Sequence, residues 1–348
     1  MGRSGRTTAA ATLALVTLLA AGCSGSAGGS ETSDSRSADT EPLTLYNAQH
    51  EDLVRAMVDG FTKETGIEVE IRSGDVFELA HQIVQEGPAS PADVFLTENS
   101  PAMALVDAEQ GFAKVDEATL AQVPSQFVPS TGNWVGFAAR ATVLVYNTDQ
   151  LSEDELPASI MDLAEPRWKD KIGIAAGGAD FQAIVSAVLA LKGEDATAEW
   201  LAGLKRNAKI YPKNSAVMKA VDSGEISAGV IYHYYWYKDQ AEGGANSSHT
   251  KLKFFGNQDP GAFVSVSGAG VLKVSDQQEE AQRLLRYLTG KEGQRILSDS
   301  TALEYSIASD VPANEALKPL DELDPPVVDV AKLNGPKVVT LMQEAGLL

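Results

Sequence analysis

Residues 43–101 read LTLYNAQHEDLVRAMVDGFTKETGIEVEIRSGDVFELAHQIVQEGPASPADVFLTENSP, and their periodicity switches repeatedly between that of strands and that of helices. Leu43–Tyr46 is a short strand-like run. Between His50 and Glu64, the side chains of Leu53, Val54, Met57, Val58 and Phe61 recur at the spacing of one helical face, and Gly66 stands where a C-cap glycine belongs. Glu68–Arg72 alternates like a strand and Phe77–Glu86 reads as a helix. Asp93–Thr97 is a strand, and Ser100-Pro101 opens another helix as cap and first-turn proline. A β-α-β-α-β order of this kind predicts a parallel sheet flanked by helices.

The alternation continues downstream. Trp134–Ala138, Thr142–Tyr146, Lys171–Ala175, Ile226–Tyr232, Phe263–Val266 and Gly270–Val274 read as strands. Phe181, Ile184, Val185, Val188 and Leu189 mark a helix, and 196–204, 216–223, 279–288 and 291–297 read as further helices. Two short helices are expected in Pro326–Leu348. Two α/β halves of comparable size fit this order, with no sequence repeat between them. Such two-lobed bodies, hinged by extended strands, resemble the extracytoplasmic solute-binding proteins. The expected fold class is therefore α/β, two-lobed and periplasmic-binding-protein-like (type II), with the ligand cleft between lobes. Residues 43–139 plus 265–315 are assigned to an N-lobe and 140–264 plus 316–348 to a C-lobe, with hinges near Ala139–Val143 and Phe263–Gly268.

Upstream, residues 1–22 carry Arg3 and Arg6, no acid, and an apolar stretch from Ala9 to Ala21, which is the pattern of a secretory signal. The stretch is too short for a stable transmembrane helix. It ends in Leu19-Ala20-Ala21-Gly22-Cys23, similar to the lipobox of bacterial lipoproteins, so Cys23 is the expected lipidation site. Residues 23–42 then read as a lipidated cysteine and a flexible tether; 24–42 hold no large apolar side chain and would span roughly 25 Å. Cys23 is the single cysteine of the 348 residues, which excludes intrachain disulfides and thiolate metal cages. With 28 basic and 48 acidic side chains and a net charge of −20, the chain is a poor match for nucleic acid. No nucleophile elbow, phosphate loop or HExxH motif is present, and no enzymatic activity is expected.

Four residues stand out for their chemistry. The run Ile231-Tyr-His-Tyr-Tyr-Trp-Tyr237 places more hydroxyls in one segment than a core can bury without partners. His50 and Glu98 each follow a predicted strand and precede a helix, and Tyr234 and Tyr235 follow the strand 226–232. In open α/β sheets, ligands bind beyond the carboxyl ends of strands, so all four are expected on crevice-facing loops, two from each lobe. Taken singly, a surface imidazole, a solvated carboxylate and core aromatics are the plainer accounts; shared placement favours a site. Phenols, with pKa about 10, bind a metal only when a strong Lewis acid displaces their protons. Oxygen-rich anionic sites suit hard cations, whereas Zn²⁺ favours His and Cys and Ca²⁺ several carboxylates and carbonyls. One carboxylate and two phenolates balance the charge of Fe³⁺. A helix N-terminus keeps His50 neutral and able to coordinate.

Several blocks in register resemble the bacterial ferric-ion-binding proteins, or bacterial transferrins, that serve ABC transporters. They are Tyr46-Asn-Ala-Gln-His50-Glu, Ser90-Pro-Ala-Asp-Val-Phe-Leu-Thr-Glu98, Trp168-Lys-Asp-Lys-Ile-Gly173, Lys213-Asn-Ser215, Tyr234-Tyr-Trp236, His249-Thr-Lys-Leu, Asp259-Pro-Gly-Ala262 and Gly290-Lys-Glu-Gly-Gln294. The resemblance implies Fe(III) ligation by His50, Glu98, Tyr234 and Tyr235, completed by a synergistic anion, often phosphate. It also implies a monomeric, lipid-anchored binding component on the extracytoplasmic face of the cell membrane, working with an ABC permease and its ATPase.

The chain departs from the family at the anion. The phosphate-cradling turn aligns with Gly178-Ala179-Asp180, and an asparagine two residues before the tyrosine pair is replaced by Tyr232; the anion-contacting Asn214 is kept. An Asp180 carboxylate capping the following helix would use the donors that phosphate needs. Carbonate is therefore expected over phosphate, with water or a phenolate from Tyr146 or Tyr232 as further candidates. Gly178, Ala179, Asn214 and Arg140 are the candidate anion or cleft contacts. His81 and His249 have no ligand-like neighbour in sequence. The competing functions are a solute-binding lipoprotein for another metal, an oxyanion, a polyamine or an iron chelate and, further off, an iron-tyrosinate metallo-enzyme.

Overall fold

The computed structural model describes residues 41–348 apart from residue 309. The signal segment, Cys23 and nearly all of the tether lie outside the described residues. The first half follows the predicted order: β1 (Leu43–Ala48), α1 (Glu51–Thr65), β2 (Val69–Ser73), α2 (Val76–Glu86), β3 (Val94–Thr97), α3 (Ser100–Ala108) and the short α4 (Glu117–Leu120). β1 runs parallel between β2 and β3, with Leu45 opposite Ile71 on one side and Val94 on the other. Helices cover this sheet, which is why β1 and β3 are almost wholly buried and read as apolar runs rather than as alternation. α1 buries the predicted face, Leu53, Val54, Met57, Val58 and Phe61, and ends at Gly66 in the left-handed region, φ 73°.

The chain continues through β4 (Val135–Asn147), β5 (Ile172–Ile174), α5 (Ala179–Lys192), α6 (Glu194–Asn207), β6 (Ala208–Ile210), α7 (Asn214–Asp222), β7 (Ala228–Tyr232), α8 (His233–Ala241) and β8 (Thr250–Lys253). It returns through β9 (Val264–Val271), α9 (Gln278–Thr289), α10 (Lys291–Asp299) and β10 (Tyr305–Ser306), and finishes in α11 (Gly335–Glu344). The strand order is β2-β1-β3-β9-β4-β7-β5-β6, with β8 and β10 also paired to β4. Of these pairs, β5 runs parallel to β6 and β7, whereas β9 runs antiparallel to β3 and β4.

β4 joins the two parts of the sheet. Its residues from Val135 to Ala141 pair with β9, and those from Thr142 onward pair with β7 and, on the other edge, β8. The sequence predicts two strands here, split around Arg140; the structure has one. A charged residue breaks the apolar pattern, but Arg140 is fully buried and ion-paired, so the backbone runs through it. β9 was likewise expected as two strands. Ser265, Ser267 and Gly268 interrupt its apolar run, yet all of β9 is buried. β6 (Ala-Lys-Ile) and β8 (Thr-Lys-Leu-Lys) are too short to carry a strand pattern in the sequence. The expected closing helix pair is a single 3-10 turn, Val330–Lys332, followed by α11. Among the described residues, no helix is long and apolar enough to cross a membrane.

Candidate metal centre

β1 and β3 run side by side in one direction, so the residues after each lie at the same end of the sheet. His50 is the N-cap of α1, just beyond β1, and Glu98 follows β3 directly. Tyr234 and Tyr235 do not lie on a loop as expected. β7 passes straight into α8 at His233, so both sit in the first turn of that helix. Their rings stack with centroids 4.2 Å apart at 29°. The His50 ring meets Tyr234 edge-on at 5.3 Å. The imidazole of one sheet half therefore touches the tyrosine pair of the other. Both border a cleft of ≈ 1220 Å³ whose walls also carry Lys213, Lys238 and Arg295.

Glu98 is tied to the cluster by Arg140. The Arg140 Nη1 donates to Glu98 Oε2 at 2.9 Å, and Nη2 donates to Glu304 Oε2 at 2.6 Å and to Ser267 Oγ at 2.8 Å. The guanidinium carbon lies 5.5 Å from the Tyr234 ring centre and 5.9 Å from that of Tyr232, a cation–π geometry. Burial opposes the guanidinium charge, but the Glu304 and Glu98 carboxylates outweigh it and hold Arg140 protonated. Burial pushes the Glu98 carboxyl up to about 8; the Asp180 charge acts in the same sense, and Arg140 opposes it.

Glu304 is fully buried and was missed by sequence reasoning. It follows Leu303, a non-glycine residue in the left-handed region at φ 54°. Its Oε1 lies 3.4 Å from His50 Nε2, and neither atom has a hydrogen-bond partner. Burial lowers the His50 pKa against the pull of Glu304, which favours the neutral ring. The signal that could have revealed Glu304 is an isolated acid inside the apolar stretch Leu303-Glu304-Tyr305-Ser306-Ile307-Ala308.

Asp180 differs most from expectation. Gly178 is the N-cap of α5 and makes no side-chain capping bond, while Asp180 lies inside the first turn. Its carboxylate does not cap the helix. Instead, Oδ1 accepts from Asn99 Nδ2 at 3.2 Å, and Oδ2 accepts from Asn214 Nδ2 at 2.7 Å and Tyr235 Oη at 3.1 Å, with Tyr234 Oη at 3.5 Å. Asn214, expected to touch an anion, touches this one. The Gly178 N–H donates to the Ala175 carbonyl at 3.0 Å, so it is engaged within its own turn. Ala179 is the first residue of α5.

Of the two additional phenols, Tyr232 stacks beside Tyr234 at 6.5 Å, and its hydroxyl donates to the Asp180 carbonyl at 3.4 Å. Tyr146 is elsewhere. It pairs with Ala228, four residues along β4 from the Thr142–Tyr232 pair, or about 13 Å away. Burial and the adjacent Glu153 raise its pKa. Burial and then the Asp180 charge also raise Tyr234 and Tyr235, so both are phenols until a cation displaces their protons. Among the described residues, no group of three or more His, Cys, Asp or Glu side chains is arranged to hold a metal ion.

A family model for the bacterial extracellular solute-binding proteins matches residues 89–324. The chain is 56% identical over 306 residues to the Fe(3+)-binding periplasmic protein of Serratia marcescens, covering 88% of this chain and 90% of that one. It is 39% identical over 308 residues to the major ferric iron-binding protein of Neisseria meningitidis, covering 88% and 93%. The crystal structure of iron-bound HitA from Pseudomonas aeruginosa superimposes with a TM-score of 0.81 at 42% identity, covering 88% of this chain and 99% of that one. The chain thus belongs to the bacterial extracellular solute-binding proteins and, within them, to the ferric iron-binding periplasmic proteins.

Proposed function

We propose that this protein is the extracytoplasmic binding component of an iron uptake transporter, and that it takes up Fe(III) between His50, Glu98, Tyr234 and Tyr235. The observation that carries the ligand assignment is the stacked phenol pair facing a neutral imidazole whose buried Nε2 has no hydrogen-bond partner. The phenol oxygens supply charge only after losing protons, which a hard trivalent ion can enforce and a softer divalent ion does poorly. The protein performs no chemical conversion; it binds, carries and releases.

Residues 43–139 plus 265–315 would form one lobe and 140–264 plus 316–348 the other, with β4 and β9 as the connections. His50 and Glu98 then come from the first lobe and the tyrosines from the second. Closure over Fe(III) completes a site that neither lobe has alone, so the ion stabilises the closed state by its differential affinity. The closed form is the shape offered to an ABC permease and its ATPase. A lipid on Cys23 would hold a monomer at the outer face of the cell membrane, with residues 24–42 as leash. Phosphate is a poor anion for this centre, because Asp180 already engages Asn214.

Fe(III) titrated into the purified chain should develop a visible phenolate-to-iron charge-transfer band at one ion per chain. The Tyr234→Phe, Tyr235→Phe double variant should fold and lose the band. A band of undiminished strength in that variant would remove the tyrosines from the site.

A further inference from the structure

Behind the proposed ligands lies an acid to which the Fe(III) reading gives no role. Glu304 is buried, and its two oxygens face different partners. Oε2 accepts from Arg140 Nη2 at 2.6 Å, and from Ser267 Oγ and Gln49 Nε2 at 3.4 Å each. Oε1 lies 3.4 Å from His50 Nε2 and has no hydrogen-bond partner. The Gln49 side chain in turn accepts from the His50 N–H at 2.7 Å, and Arg140 donates to Glu98 at 2.9 Å. His50 and Glu98 therefore each rest on Glu304 through one intermediary.

Arg140 makes this acid necessary. A buried guanidinium beside a trivalent cation repels it, with little water to screen the repulsion. Arg140 touches two carboxylates, of which the Glu98 side chain keeps 20% exposure and that of Glu304 none. The guanidinium makes its shorter contact with Glu304, 2.6 against 2.9 Å. Burial opposes its charge; Glu304, and after it Glu98, hold it protonated. With Glu304 as the counter-ion, Arg140 can hold Glu98 in place while the Glu98 charge stays available to iron.

Resting on the Fe(III) assignment above, we infer that Glu304 is a positioning residue of the iron site, which neutralises Arg140 and thereby frees the charge of Glu98 for the ion. It acts through Arg140 and is not itself a ligand. Without it, an uncompensated guanidinium would stand behind Glu98 and work against Fe(III).

The test uses the whole chain and ferric chloride buffered by excess citrate, with affinity read from the phenolate-to-iron band. Glu304→Gln keeps an acceptor for Arg140 and removes only the charge. It should weaken iron binding by about 10–100-fold, the range for loss of an outer-shell partner. Arg140→Met, Glu304→Gln removes the cation together with its counter-ion and should bind at least about fivefold more tightly than Glu304→Gln alone. A purely structural role predicts the opposite, because two losses of packing add. Melting of the iron-free variants checks that they fold. If Glu304→Gln alone does not fold, the double variant decides, since a buried pair replaced by neutral side chains is tolerated better than a broken one. It should then bind within about tenfold of wild type, and weaker binding would overturn the inference. With Glu304→Gln folded, a loss smaller than about tenfold, or a double variant short of that recovery, would overturn it and leave the Fe(III) assignment intact. No band in the wild type would instead defeat the Fe(III) assignment itself.

Discussion

Arg140 is a positive charge with no exposure, held between Glu98 and Glu304. Breaking a buried ion pair by removing one partner costs more than the pair contributes, because the remaining charge is left uncompensated. Arg140→Met keeps the length of the side chain and leaves the Glu98 and Glu304 carboxyl groups buried without their cation. The iron-free variant should lose about 3–5 kcal/mol of unfolding free energy in a urea titration. A loss under about 1 kcal/mol would mean that other groups take over the contacts of the guanidinium. At this scale, legibility in the sequence followed locality. His50 and Glu98 could be found because each follows a strand, a property visible within a few residues. Glu304 could not, since its partner Arg140 is 164 residues away and burial of a lone acid has no local signature. Asp180 was noticed but misassigned: a carboxylate at a helix start most simply caps it, and only the folded chain brings Asn99, Asn214 and the tyrosines within reach.

Among elements, α10 shows how a helix remote from the ligands holds one part of the network. Gln294 is fully buried, and its side-chain amide donates to the Phe137 and Leu288 carbonyls at 2.6 and 2.8 Å. Its oxygen accepts from the Ile307 and Ala308 N–H groups at 2.8 and 3.1 Å. One residue thus fastens α10 to β4 and to the segment just past Glu304. The preceding Gly293 is required for this approach, since a Cβ there would stand 2.3 Å from the Tyr287 carbonyl oxygen. Gln294→Leu fills similar space but leaves buried backbone groups unpaired, and should cost on the order of 3 kcal/mol in chemical unfolding. A change within 0.5 kcal/mol, an order-of-magnitude threshold, would show that those groups find other partners. The amphipathic helices were the most legible elements, because a buried stripe recurs at a fixed spacing. The long strands β4 and β9 were read in pieces because polar residues serving the site interrupt their apolar runs. The short strands β6 and β8 take their pairing from neighbours rather than from their own composition.

Across the whole molecule, the critical place is where β4 leaves one part of the sheet for the other. Ala141 is its last residue paired with β9, and Thr142 its first paired with β7. At that crossover the Ala141 N–H donates to Nδ1 of His233, a fully buried ring stacked on Tyr305 at 4.6 Å. An imidazole thus supplies an acceptor at the join, which only the neutral ring can do. Burial, helped by Arg140, lowers the His233 pKa to about 3. An unfolded histidine titrates near 6.5. The neutral folded form therefore contributes its full stability above about pH 6.5; as pH falls through the interval down to about 3, the unfolded chain takes up a proton that the folded chain refuses. His233→Asn offers an oxygen acceptor that does not titrate. In urea unfolding of the iron-free proteins from pH 7.5 to 4, the wild type should lose stability more steeply, the difference approaching one proton, or about 1.4 kcal/mol per pH unit. Above pH 7 the two curves should keep a constant separation. Parallel curves throughout would mean that His233 is protonated in the folded chain as readily as in the unfolded one, and that the strand crossover is held by some other contact.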